Sequence, residues 1–247
     1  MTQTRGLAIV IPARNEEEHI GPCLESLRAS ALFARRTLGE RTPRLLVVVV
    51  IDGSDDRTSA IARAFSDVIV VEGVTSAQGN VGRARAAGVA VARDHFGDEP
   101  VAALWIANTD ADSQVPLNWV ARHIELADAG ADVVLGTVRP NFDDLSRLQI
   151  HAWTQAHSDS QPAGRIYGAN LGIRADVYGA AGGFAPIVEH EDVDLVNRAR
   201  ARGATVIETH DHEVLTSGRR IGRTPGGFAG YLRSQLSTPA RSAYAEA

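Results

Sequence analysis

Lysine is missing from this 247-residue chain: all 25 of its lysine-plus-arginine positions are arginine. That absence removes the amine needed for Schiff-base catalysis and the lysine of a phosphate-gripping P-loop. Cysteine is almost as scarce. Cys23 stands alone, so neither an internal disulfide nor a cysteine-rich zinc site can form. It lies within an apolar helical pattern and reads as core filler. No apolar run approaches the ~20 residues of a membrane-spanning helix. The first residues lack the charged start and long apolar centre of a secretory signal, and the run Leu7 to Ile11 is only strand-sized. The expectation is a cytoplasmic protein without a transmembrane segment, with peripheral membrane contact left open. Positive charge is not in excess either. The net charge is −5, and acids interleave with the arginines, which argues against a nucleic-acid partner. The densest basic stretch, Arg28 to Arg44, reads as a solvated connector.

What remains is ordinary globular composition, 44% apolar, in a length that can bury one large core. Short β-branched runs alternate with helical patterns, the signature of a parallel sheet flanked by helices. Strands are expected at Leu7–Ile11, Leu45–Ile51, Val68–Val71, Val101–Ala107 and Asp132–Val138. The second is aliphatic throughout, as suits burial on both faces. Asn15 with Glu18 predicts a capping box opening a helix whose apolar face is Ile20, Leu24 and Leu27. The turn at Asp52 to Asp55 predicts a cap for a helix through Ile61 and Phe65. Residues 80–93 are alanine-rich and predict a helix, as do residues 116–129. Beyond residue 140 the alternation weakens, with polar and glycine-rich stretches at 158–168 and 179–183. The reading is one α/β domain without internal repeats or a dividing linker, ending in a frayed tail over 237–247.

In open α/β sheets, ligands bind beyond the carboxyl ends of the strands. Three expected strands end in polar clusters: Pro12-Ala13-Arg14-Asn15-Glu16, Asp52-Gly53-Ser54-Asp55 and Asp110-Ala111-Asp112. A parallel sheet would put all three on one rim. Carboxylates one residue apart at a strand end can aim at a common centre, and such hard oxygen ligands suit Mg²⁺ or Mn²⁺. Taken alone, Asp110 and Asp112 would read as solvated loop residues or caps. A fourth cluster, His190-Glu191-Asp192-Val193-Asp194, follows Gly182-Gly183-Phe184. It could supply a general base, or form an acidic helix start favoured by the helix dipole. His210-Asp211-His212 places two imidazoles on one side of an extended segment, which makes His212 a candidate metal ligand beside surface-residue readings. Arg219, Arg220 and Arg223 could clamp a diphosphate or simply be solvated.

In this order the motifs resemble inverting glycosyltransferases of family 2, which have the GT-A fold, over most of residues 6–235. Ile11-Pro12-Ala13-Arg14-Asn15-Glu16-Glu17 looks like the family's first-strand motif, which implies that Pro12, Ala13, Asn15 and Glu16 hold the nucleoside. Val50-Ile51-Asp52-Gly53-Ser54-Asp55-Asp56 is similar to the second motif. There Asp52 would contact the base, and Ile51 stands where the family usually has a first acid. Asn80-Val81-Gly82-Arg83-Ala84-Arg85 looks like the segment bringing a basic residue to the diphosphate, for which Arg83 is the candidate. Asp110-Ala111-Asp112 matches the metal-binding acid pair, with Asp110 and Ala111 also on the donor. Gly168-Ala169-Asn170 through Arg174, then Gly182-Gly183-Phe184, resemble the acceptor-side segment leading to Glu191 and Asp192. By resemblance Asp192 is the catalytic base, with Glu191 beside it. Thr216-Ser217-Gly218-Arg219-Arg220 is similar to the ending of small soluble members.

The resemblance implies residues 1–113 as a nucleotide-sugar half and 114–236 as an acceptor half. The donor would be a UDP- or GDP-linked sugar, and the acceptor a hydroxyl on a saccharide or lipid-linked group. A dinucleotide oxidoreductase would need glycines in the first turn, where Pro12 to Glu16 has none. A phosphatase using Asp52 would want an acid where Ser54 stands, and a calcium loop would need one at Arg63. A nucleotidyltransferase shares the architecture but normally carries a glycine-rich first loop and a lysine. The non-enzymatic alternative is a catalytically silent, nucleotide-binding module of the same fold.

Overall fold

The structure is a computed structural model that describes residues 3–72, 79–157, 165–187, 189–219, 222 and 228–236. Its elements run β1 (Gly6–Ala13), α1 (Ile20–Leu38), β2 (Arg44–Ile51), α2 (Thr58–Arg63), β3 (Val68–Val71), α3 (Val81–His95), β4 (Leu104–Asn108), β5 (Ser113–Gln114) and α4 (Trp119–Asp128). Then come β6 (Val133–Pro140), α5 (Arg147–Ala156), β7 (Leu171–Arg174), α6 (Ala175–Ala180), α7 (Glu191–Arg200), β8 (Val206–Thr216) and α8 (Phe228–Leu236). The strands form one eight-stranded sheet in the order β3-β2-β1-β4-β7-β6-β8-β5. The β3, β2, β1 and β4 strands are parallel neighbours, and β7 enters antiparallel to both β4 and β6. This is the mainly parallel α/β architecture expected.

The chain builds outward from β1 through β2 to β3, then returns to place β4 on the other side of β1. That reversal makes the carboxyl ends of β1 and β4 a topological switch point, the position where open α/β sheets as a class bind ligands. The alternation of β1 is what lets it sit in the middle. Ala8 and Val10 face a core shared with Val48, Val50, Ile106 and α3, while Leu7, Ile9 and Ile11 are buried as well. Small residues on α3 recur at helical spacing: Ala84, Gly88 and Ala92 are all buried. At Gly88 the helix lies so close to the sheet that a Cβ would come 2.5 Å from Val10 Cγ1. Alanine and glycine are there for proximity as well as helix propensity.

The chain forms two compact units, one of residues 1–139 with 164–216 and one of residues 140–163 with 217–247. The larger holds the described sheet. Within the smaller, α5 opens with a capping box between Ser146 and Gln149. Its Trp153 ring lies 5.8 Å from Phe228 and 6.2 Å from Tyr231 on α8.

Several boundaries differ from expectation. The first helix starts at Ile20 and not at Asn15. Asn15 takes a left-handed φ of 52°, and its side chain accepts the N–H of Asp55 at 2.9 Å. It is recruited by the neighbouring loop and so cannot cap its own helix. α2 ends at Arg63 and leaves Phe65 outside; its start is held by Asp56, which accepts the Thr58 N–H at 2.9 Å. The stretch Arg28 to Arg44 is mostly the second half of α1, and Arg28 pairs with Asp67 at 2.6 Å. Residues 237–247 lie outside the described residues.

Candidate functional site

The loops after β1 and β2 are stitched together. Asn15 N–H donates to Ser54 Oγ at 2.9 Å, Glu16 N–H to Thr58 Oγ1 at 2.7 Å, and Glu17 N–H to Asp56 Oδ2 at 3.0 Å. Pro12, Ala13, Asn15 and Glu16 thus sit on a rim already fastened to the Asp52 turn. Asp52 is 5% exposed. Its Oδ2 accepts the Asn80 N–H at 2.7 Å, whereas Oδ1 is buried without a partner. An unpaired buried carboxylate oxygen is costly unless something else donates to it. Arg14 lies beside it: its Nη1 is 2.3 Å from where a Cβ on Gly79 would stand, and that point is 3.5 Å from Asp52 Oδ2.

Asn80 caps α3 by accepting the Arg83 N–H at 2.8 Å, and donates through Nδ2 to the Pro186 carbonyl at 3.0 Å. The helix that follows carries the residue the sequence reading passed over. Arg83 is exposed. Arg85, two residues on, is 2% exposed and donates to Glu191 Oε1 at 2.8 Å and to Asp110 Oδ1 at 2.5 Å. Burial alone would lower its pKa, but Asp110, Glu191 and Asp192 outweigh burial and hold the guanidinium charged. The Glu191 pKa is raised too: burial drives it up, against the pull of Arg85, and Asp192 adds to the rise. Asp192 is less enclosed. Its Oδ2 accepts the Gly168 N–H at 2.6 Å and its Oδ1 the Val193 N–H at 2.8 Å.

The acidic start of α7 is positioned by a turn only glycines make easily. Gly182 and Gly183 have φ of 83° and 69°, open to residues without a Cβ. Arg198 pins that turn by donating to the Gly183 carbonyl at 2.7 Å. Phe184, which follows, is buried under the Arg85 guanidinium, 5.9 Å from its ring centroid.

The acids expected on the donor side, Asp110 and Asp112, lie after β4. Asp110 keeps 37% of its side chain exposed while binding Arg85, and Ala111 between the acids is buried. Asp112 Oδ1 accepts from Thr216 Oγ1 at 3.4 Å, and β5 pairs Ser113 with Thr216. Cys23 packs beneath, its thiol donating to the Asp110 carbonyl at 3.5 Å. Burial pushes that thiol's pKa up, and Asp112, Asp110 and Glu16 push it further, which together with its burial fits core filler.

His212 is not gathered with these acids. It lies four residues along β8 from Thr216, about 13 Å at ordinary strand rise. Its buried ring sits 4.9 Å from that of His123, and His210 is exposed. Among the described residues no group of three or more His, Cys, Asp or Glu could hold a metal ion. Two carboxylates still fit Mg²⁺ or Mn²⁺ in one manner, because Mg²⁺ is commonly held by one or two carboxylates together with substrate phosphates. Arg219 donates its N–H to Ser217 Oγ at 3.3 Å; Arg220 and Arg223 lie outside the described residues.

Acids thus gather at the switch point of the sheet, the place where open α/β proteins as a class hold their ligands. Residues 8–185 match the family model described as glycosyl transferase family 2, and the chain belongs to that family. Among its relatives in Haloferax volcanii, a dolichyl-phosphate hexose transferase is 32% identical over 130 residues, 53% of this chain and 46% of its own. Glycosyltransferase AglE is 26% identical over 222 residues, 83% of this chain and 64% of its own. The chain therefore spans about half to two thirds of these relatives' lengths. Solved structures share the fold. S. aureus TarS 1–349 in complex with UDP-GlcNAc matches with a TM-score of 0.64 at 16% identity, covering 90% of this chain and 61% of that one. A mannosyltransferase from Pyrobaculum calidifontis in complex with GDP-Man and Mn²⁺ matches with a TM-score of 0.62 at 20% identity, covering 90% and 59%. The sheet is that of the GT-A glycosyltransferases, as the motif order implied.

Proposed function

We propose that this protein transfers a glycosyl group from a UDP- or GDP-linked sugar to a hydroxyl acceptor, on a saccharide or a lipid-linked group, with inversion at the anomeric carbon. The observation that carries this reading is the meeting of acids from separate strand ends around one helix. Asp52 is held by the first residue of α3's cap, and Arg85 on the same helix binds both Asp110 and Glu191. The nucleoside lies against Pro12, Ala13, Asn15 and Glu16, and the unpaired Asp52 Oδ1 receives an N–H of the base. Arg83, exposed at the start of α3, meets the diphosphate. Asp110, Ala111 and Asp112 face the diphosphate end, where the two acids hold Mg²⁺ or Mn²⁺ with the phosphates. When bound, that ion neutralises charge on the departing nucleotide.

Asp192 is the base. Its carboxylate takes the acceptor proton as the acceptor oxygen bonds to the anomeric carbon from the face opposite the nucleotide. The bond from that carbon to the diphosphate breaks, and its electron pair stays on the phosphate oxygen. The Gly168 N–H holds Asp192 in place, and Glu191 is committed to Arg85. No helix among the described residues is long and apolar enough to cross a membrane, and we place the reaction in the cytoplasm. A thermal-shift screen of UDP- and GDP-sugars, with and without Mn²⁺, tests the reading, because a ligand that binds only the folded state raises the melting temperature. Metal-dependent stabilisation by one donor supports it. No response to any sugar nucleotide refutes it.

A further inference from the structure

Arg85 spans the two halves of the proposed site, touching Asp110 after β4 and Glu191 at the start of α7. Such a residue is not needed to fold an α/β sheet. Its surroundings are nonetheless shaped for it. Gly168 leaves the room it occupies, for a Cβ there would stand 2.0 Å from Arg85 Nη1. The Gly168 N–H, on the other side of the same residue, donates to Asp192. Phe184 closes one face of the guanidinium. Three groups around this arginine, Asp110, Glu191 and the Gly168 segment, therefore share one mechanical link.

We infer that Arg85 is a positioning residue, which locks the donor-side acid Asp110 to the acceptor-side acids so that nucleotide and base are held at a fixed mutual distance. The inference rests on the transferase reading above. A planar guanidinium suits this task because its fork donates to two carboxylates at once in fixed geometry. An ammonium at the same place is a point charge that cannot keep both directions. Positioned groups speed reactions by removing orientational freedom, and small misplacements are costly in rate.

A buried ion pair can also be there for folding alone, and the test separates the two roles. Removing one partner strands a buried charge and destabilises strongly, whereas replacing both by neutral groups of similar size is often tolerated. The Arg85→Met/Glu191→Gln double variant does the latter. We expect it to melt within a few degrees of the wild type, yet to bind UDP with Mn²⁺, or GDP with Mn²⁺, about tenfold more weakly by calorimetry. We expect its kcat/KM to fall on the order of a hundredfold. Arg85→Lys should restore less than a tenth of that loss. Gly168→Ala keeps every charge but pushes the guanidinium aside, and should reproduce the loss of nucleotide binding even if the double variant does not fold. Wild-type nucleotide affinity and turnover in a folded double variant, or in Gly168→Ala, overturns the inference while leaving the transferase reading intact. Failure of the wild-type protein to bind either nucleotide overturns both.

Discussion

Asp192 and Glu191 are adjacent carboxylates given different surroundings. Glu191 is buried and tied to Arg85, and burial raises its pKa. Asp192 is less enclosed and receives two backbone N–H groups, from Gly168 and Val193. Replacing Asp192 by asparagine keeps the volume and removes the proposed proton acceptor. Donor affinity measured by calorimetry should stay within about twofold, while turnover falls by ~10² to 10⁴, the usual worth of a positioned base. Undiminished turnover would remove Asp192 from that role. Sequence alone marked both acids, since the cluster at 190–194 is conspicuous. It named Arg83 and passed over Arg85. Only the rotation of α3 tells them apart, turning position 83 to solvent and position 85 inward, and two arginines two residues apart look alike until that rotation is known.

α3 shows how composition becomes geometry. Its stripe of Ala84, Gly88 and Ala92 brings the helix against β1 and β2, and that closeness delivers both Asn80 and Arg85 to the rim. Gly88→Ala would raise helix propensity by up to ~1 kcal/mol. It would also force a methyl to 2.5 Å from Val10 and 3.1 Å from Val50. Overpacking of this kind typically costs about 1 to 3 kcal/mol, so the variant should be net destabilised in urea melts, and a gain in stability would contradict the close packing. Asn80→Ala removes a cap, an effect of about 1 kcal/mol, and also lets go of Pro186. The strands and α3 were legible in sequence because their periodicities are clean. The start of α1 was not, since Asn15 is claimed by a loop 40 residues away, and no local pattern reports such a claim. The same blindness made His212 look like a metal ligand, when its burial beside His123 is a property of the assembled sheet.

At the level of the whole molecule, that histidine pair sets a limit on acid stability. His123 and His212 are both buried, and neither ring nitrogen of His212 has a partner. Burial brings the His212 pKa down to about 4, with Arg122 adding to the effect. Burial likewise holds His123 well below the ordinary value, helped by His212. Both are therefore neutral in the fold, whereas the unfolded chain takes up protons near pH 6.5. Since the unfolded state then binds more protons, stability falls as pH drops from about 6.5 towards 4. The His212 shift alone corresponds to ~3 kcal/mol at the bottom of that window. Denaturant midpoints measured across it should decline in the wild type and decline less in His212→Leu. Equal slopes would show that the ring is not the cause.

Cys23 turns the same molecule into its own reporter. One thiol, packed under the backbone of Asp110, can react with a maleimide only when that floor opens. Labelling rates in native buffer therefore clock the breathing of that rim at a single point, with no competing signal from any second sulfhydryl. A nucleotide that seats itself above should slow the clock in proportion to its occupancy.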